Sequence, residues 1–190
     1  HAIQGDKMKQ EFPSTPEEAF AQAIEGAYYA DQFNTIYKEG RYLDKNFDND
    51  AKVHTAWDIG VGDSTSIWFY QLIGKEIHII NYLENSGEPL GYYIKEIESL
   101  AKKYNWAYGK HHAPHDINVR NMFDKKTRLQ TAREMGLKFV MVPRTSDLNE
   151  SIETTRRIFA RCWFDEKRCE RGINALSSYR RKYISEMQVF

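Results

Sequence analysis

The chain has 190 residues, 41% hydrophobic and 14% aromatic, a composition that supplies a core and excludes a polar disordered tail. Its 27 Lys+Arg balance 27 Asp+Glu, and no stretch approaches the roughly 18 consecutive apolar residues of a membrane span, so no membrane partner is expected. The opening segment lacks the apolar centre of a secretory signal, and the two cysteines, Cys162 and Cys169, form no CxxC pair, so free buried thiols and a cytoplasmic setting are expected.

The balanced charge conceals an asymmetry. Residues 1–100 hold 8 Lys+Arg against 17 Asp+Glu, whereas residues 101–190 hold 19 against 10. A basic half is what a polyanion-binding face looks like, and scattered solvated charge is the plainer alternative.

In chain order, Thr15-Pro16-Glu17-Glu18 starts a helix: Thr15 can cap, Pro16 fits the first helical position and Glu18 closes a capping box. That helix is predicted over residues 15–24 and a second over 30–38, followed by a polar linker over 42–51. The pattern then becomes a sheet. Val53–Ile59 and Ser64–Ile73 are predicted strands joined by the turn Gly60-Val61-Gly62-Asp63, and Gly74-Lys75 turns into a third strand over 76–83. Tyr93, Ile94, Ile97, Leu100 and Ala101 recur at helical spacing within 92–104. A fourth strand over 106–110, a helix over 126–135 and a fully apolar fifth strand, Phe139–Val142, follow. Helices over 150–161 and 166–183 complete the prediction.

Short turns make the first three strands antiparallel neighbours, and helical crossovers allow the fourth and fifth to run parallel to the first. The first strand then lies between the second and fourth. The expected fold class is therefore α/β, a mixed five-stranded sheet flanked by helices in an RNase H-like arrangement.

Two carboxylates stand out in that layout. Asp58 follows Trp57 near the end of a buried-type strand, where an unpaired charge is costly and where open α/β sheets bind ligands. A turn-capping role is its alternative. Asp116 closes His111-His112-Ala113-Pro114-His115-Asp116, a loop expected directly after the fourth strand. Neighbouring parallel strands lie about 4.8 Å apart, so acids at their ends can share or bridge cations. Two-metal phosphodiester cleavage needs that arrangement, and hard oxygen ligands favour Mg2+ or Mn2+. Asp63, across the glycine turn, either reaches the same site or simply starts the second strand. The HHxxH run is not a regular zinc pattern; one of its histidines is expected to orient Asp116 or to contact a phosphate. Lys110, Arg120, Lys125, Lys126, Arg128 and Arg144 surround this region in sequence and are the candidate DNA-backbone contacts. The four tryptophans are expected in the core.

Four segments resemble the large subunit of tailed-phage terminases. TAWDIGVGDST (55–65) looks like that family's first nuclease motif and HAPHD (112–116) like its second. EFPSTPEEAF (11–20) is similar to the segment closing the family's ATPase region, and SSYRRKY (177–183) to a helix near its C-terminal end. The resemblance implies a metal-dependent endonuclease, active in the host cytoplasm, that cleaves concatemeric double-stranded viral DNA during genome packaging. Its implied partners are DNA, an ATPase domain of the same protein, the portal and the small terminase subunit. No GxxxxGK[ST] loop occurs in this sequence, so the ATPase would lie elsewhere in a longer protein. Residues 1–52 would be a helical linker at the end of the ATPase region, and 53–190 the RNase H-like nuclease domain without its final segment. The family's third acid sits on a final helix, which places it beyond Phe190. Of the acids in residues 147–190, Asp147 is best placed, yet none is expected to contact a metal held by Asp58 and Asp116. A resolvase- or transposase-type nuclease of the same fold and a noncatalytic docking module of the motor are the competing readings.

Overall fold

Side-chain alternation along the central strands decides the architecture. The computed structural model describes residues 27–44, 47–60, 64–118, 126–145 and 147–180. In β2 (Val53–Ile59), Val53, Thr55, Trp57 and Ile59 are buried while His54, Ala56 and Asp58 are not. The same two-residue period continues in β3 (Ser64–Ile73), which pairs antiparallel with β2 from His54↔Tyr70 to Ile59↔Thr65. A tight turn at Gly74, whose φ of 59° suits glycine, leads into β4 (Glu76–Ser86), antiparallel to β3.

The crossovers follow. Helix α2 (Leu90–Tyr104) buries Tyr93, Ile94 and Ile97 and ends at Asn105 in the left-handed region. β5 (Tyr108–Pro114) then pairs parallel with β2, and a 3-10 turn (His115–Asn118) follows it directly. Helix α3 (Arg128–Glu134) starts with a reciprocal capping box between Thr127 and Gln130 and leads to β6 (Phe139–Val142), parallel to β5. Before these elements come α1 (Ala30–Lys38) and β1 (Tyr42–Leu43); after them come α4 (Leu148–Phe159), β7 (Cys162–Asp165) and α5 (Glu166–Ser177).

Among the described residues the sheet has seven strands in the order β1-β7-β4-β3-β2-β5-β6. Its centre has the expected layout, with β2 between β3 and β5. Two strands were not expected. β1 lies inside the segment read as a polar linker, and β7 between the two last predicted helices; they pair with each other, and β7 also pairs with β4. Neither is long enough to show a period of its own, so tertiary pairing decides both. The fourth strand runs further than expected, to Pro114 rather than Lys110. Trp106 is not part of it, because its N–H closes the end of α2 on Ala101 O (2.9 Å) and its ring is buried. The last two helices end earlier than predicted, at Phe159 and Ser177.

Each sheet face has its own core. One contains Val53, Trp57, Ile67, Phe69, Ile97 and Ile117, with residues of α2 and α3. The other contains Phe33, Ile36, Ile152, Phe159, Phe164 and Ile173, from α1, α4, β7 and α5. Helix α5 approaches the sheet closely at Gly172, where a Cβ would come within 2.7 Å of Tyr82 Cδ2 and nearer still to the Trp68 ring. Cys162 and Cys169 are free and buried, as expected. At the margin of this layer the two ends of the described chain meet: Ala27 bridges antiparallel to Arg180, and Tyr28 N donates to Tyr179 O at 2.9 Å. The predicted helix over 15–24 lies outside the described residues.

Candidate functional site

Parallel pairing of β2 and β5 brings both candidate acids to one edge of the sheet. Ala56 and His112 are register partners. Two residues further along each strand stand Asp58 and Pro114, and Asp116 follows two residues later in the 3-10 turn. Asp58 projects from the face opposite Trp57 and is exposed; Asp116 is exposed as well. Among the described residues neither carboxylate has a hydrogen-bond or ion-pair partner, so their oxygens face solvent as open acceptors.

The supports beneath them are well made. Ile117, beside Asp116, is fully buried and anchors the 3-10 turn in the core that also holds Ile59, next to Asp58. Trp57 Nε1 donates to Thr55 Oγ1 at 2.7 Å, and that hydroxyl in turn lies 2.7 Å from His111 Nδ1. Having accepted from Trp57, the hydroxyl has its proton to give to Nδ1, which suits a neutral ring. Burial, with His112 and His54 nearby, holds the His111 pKa down at about 4. This buried chain fixes β2 against β5 just below the acids.

The histidine run is therefore divided. His111 faces the core, while His112 faces the other side, where its Nδ1 meets Tyr70 Oη at 3.1 Å. Tyr70 also stacks on His54 (5.4 Å between ring centroids), whose Nδ1 accepts from Lys110 N at 3.0 Å. Burial, then the charges of His112, Lys110 and Lys52, lower the His54 pKa. Neighbouring residues on opposite faces of a strand cannot share one ion, and among the described residues no group of three or more His, Cys, Asp or Glu is arranged to hold a metal. No histidine hydrogen-bonds Asp116 among the described residues.

The remaining candidates scatter around this edge. Lys110 is exposed on the Asp58 face of β5. Arg144 lines an open cleft of 490 Å³ with His112, Pro114, His115 and Ala56. Lys126 is paired with Glu134 at 2.8 Å. Arg128 points its guanidinium at backbone, donating to Ile59 O (3.2 Å) and Gly60 O (3.3 Å), a contact sequence reasoning missed. The capping box Thr127-x-x-Gln130 marks Arg128 as the first residue of a helix, but no spacing in the sequence aims its side chain at Ile59 and Gly60. Asp63, Arg120 and Lys125 lie outside the described residues. Among the acids further along, Asp147 and Asp165 are helix caps, accepting from Asn149 N (2.8 Å) and Arg168 N (2.9 Å).

No family model matches the sequence, and no curated protein matches it. Solved structures do match the fold. The large terminase of the thermophilic bacteriophage D6E superposes with a TM-score of 0.63 over 82% of this chain at 13% identity. This chain spans 37% of that protein's length. The P22 large terminase nuclease domain gives a TM-score of 0.54 at 15% identity, covering 76% of this chain and 77% of its own. The large terminase nuclease of thermophilic phage G20c with bound cobalt gives 0.51 at 15% identity, over 76% of this chain and 73% of that one. The fold is thus the RNase H-like fold of terminase nuclease domains.

Proposed function

We propose that this chain is the divalent-metal-dependent endonuclease part of a viral DNA-packaging motor, cutting concatemeric double-stranded DNA. One observation carries the reading: parallel pairing leaves Asp58 near the end of β2 and Asp116 in the turn just past the end of β5, both exposed and without an ion-pair partner among the described residues, in a fold shared with terminase nuclease domains. Two open carboxylates are hard oxygen donors, and they fit Mg2+ or Mn2+. Asp58 and Asp116 would hold the ions, with Asp63 as a further ligand and a third acid beyond Phe190. Bound there, such ions supply an activated water and stabilisation of the leaving oxygen.

The residues of this chain do the positioning. The β2–β5 pairing carries Asp58 and the start of the Asp116 turn to the same end of the sheet, and the Trp57–Thr55–His111 chain ties the two strands together there. Lys110 and Arg144, on the Asp58 side of the sheet, are placed to contact DNA phosphates, together with Arg120 and Lys125; Lys126 would do so on leaving Glu134. An ATPase domain of the same protein, the portal and the small terminase subunit are the proposed partners, and the host cytoplasm the proposed setting. Among the described residues no helix is long and apolar enough to cross a membrane.

Plasmid cleavage in Mn2+, with and without EDTA, tests the proposal. Asp58→Asn and Asp116→Asn keep the side-chain shape but remove the charge, so both should abolish cutting while the fold persists; Asp63→Asn should act more mildly. Wild-type rates in Asp58→Asn, or cleavage that survives EDTA, would refute it. DNA binding without cleavage by the wild-type chain would favour a docking module instead.

A further inference from the structure

We infer that Arg128 is a positioning residue for Asp58, a clamp that fixes the end of β2 from the far side of the sheet. The inference rests on the nuclease reading above and assigns a role within that site.

Arg128 occupies the first position of α3, where the capping box leaves it no freedom at the backbone: Gln130 N donates to Thr127 Oγ1 at 3.1 Å and Thr127 N to Gln130 Oε1 at 2.9 Å. From there its two terminal nitrogens reach consecutive carbonyls, Nη1 to Ile59 O and Nη2 to Gly60 O. Ile59 directly follows Asp58 and makes the last pair of β2 with β3, opposite Thr65. Gly60 lies past the ladder and has no strand partner among the described residues. The guanidinium therefore takes over where sheet hydrogen bonding stops, at the residue after the acid.

The same helix supports the other acid. Helix α3 packs against the 3-10 turn that carries Asp116. Leu129 and Ala132 of α3 are buried in the core that contains both Ile117 and Ile59. One short helix thus fixes Asp58 through a polar fork and Asp116 through apolar packing. The fork requires arginine: a planar guanidinium presents two parallel N–H donors, whereas a lysine ammonium can satisfy only one carbonyl in comparable geometry. No acidic side chain is within ion-pair distance of Arg128 among the described residues, so its partners are the carbonyls rather than a surface carboxylate.

A phosphate contact is the competing role for this cation, and the two roles leave different traces. Losing a hydrogen-bond partner of a metal ligand itself costs roughly 10- to 100-fold in metal affinity, and loosening the backbone that carries the ligand should act at the low end of that range. Removing a phosphate contact lowers the log–log salt slope of DNA binding by about 1. The 190-residue chain is compared with Arg128→Gln, Arg128→Lys and Asp58→Asn in three measurements. These are amide hydrogen exchange of the segment around Ile59 and Gly60, half-saturating Mn2+ for plasmid cleavage, and the salt slope of DNA binding. Arg128→Gln should speed exchange of that segment selectively, raise half-saturating Mn2+ roughly 10-fold and leave the rate at saturating Mn2+ within about 3-fold. Arg128→Lys should recover part of the loss, and neither variant should change the salt slope. Unchanged exchange in Arg128→Gln overturns the inference whether or not the chain cleaves. So does a salt slope reduced by about 1 with unchanged Mn2+ dependence. Wild-type cleavage by Asp58→Asn would instead sink the nuclease reading itself, leaving the exchange result to decide the clamp.

Discussion

Gln71 offers the sharpest test of how the sheet is built. It is a fully buried amide in β3, and all of its hydrogen bonds go to the loop that feeds β2. Its Oε1 accepts from Asp48 N at 2.8 Å, while its Nε2 donates to Asp48 O and Ala51 O, both at 2.7 Å. Gln71→Leu keeps the volume and removes all three bonds. A net contribution of about 1 kcal/mol per hydrogen bond gives a loss of about 3 kcal/mol, and the stranded Asp48 N–H keeps it from being smaller. For a domain of this size each kcal/mol moves Tm by roughly 2–4 °C, so Tm should fall by roughly 6–12 °C. Urea and thermal unfolding followed by tryptophan fluorescence give both numbers. Plasmid cleavage well below Tm should be unchanged, because Gln71 pairs with His78 far from the Ser66 position that faces Asp58. A loss under about 1 kcal/mol would mean that water replaces the amide in the loop, and the reasoning from buried hydrogen bonds would fail here.

Three further outcomes are expected. His111 is held near pKa 4 when folded against 6.5 ordinarily, so between those values the unfolded chain binds the extra proton. The stability His111 contributes is complete above pH 6.5 and is lost as pH falls towards 4, by about 2 kcal/mol after screening. Urea unfolding at pH 7 and pH 4.5 should show a smaller drop for His111→Gln than for the wild type, and an equal drop would contradict the buried neutral ring. DNA affinity should fall by about 0.9 log units per tenfold rise in salt for each phosphate neutralised, and a flat response would remove the basic half of the chain from the interface. A chain extended beyond Phe190 should bind Mn2+ more tightly than this one, and equal affinity by calorimetry would overturn the proposal of a third ligand there.

The candidate site was more legible in the sequence than the margins of the sheet were. Val53–Ile59 and Ser64–Ile73 each carry a full two-residue period, and the turns between strands are marked by glycine, so the central order and the common edge of Asp58 and Asp116 follow from local rules. β1 and β7, of two and four residues, have too little pattern to be seen, and they exist because each finds a partner already in place. The histidine run misled in a different way. His111 and His112 read as part of a loop after the fourth strand, with one histidine expected to orient Asp116 or contact a phosphate, yet pairing with β2 and β6 extends the strand through them and turns them to opposite faces. Gln71 and Arg128 were invisible in their roles because their partners are backbone atoms distant in the chain, and no spacing encodes such contacts.

The meeting of Ala27 with Arg180 has a mechanical consequence. Among the described residues the first and last segments lie antiparallel, joined by the Ala27–Arg180 bridge, the Tyr28–Tyr179 hydrogen bond and the ring contacts of Tyr28 and Tyr29 with Tyr179. A force applied between Ala27 and Arg180 would load this antiparallel clasp from one end, in the peeling rather than the shearing direction. Little of the load reaches β2 and β5, which lie across the sheet with β7, β4 and β3 between them and β1. A pull between those two residues should therefore open the clasp before it could shear β2 from β5.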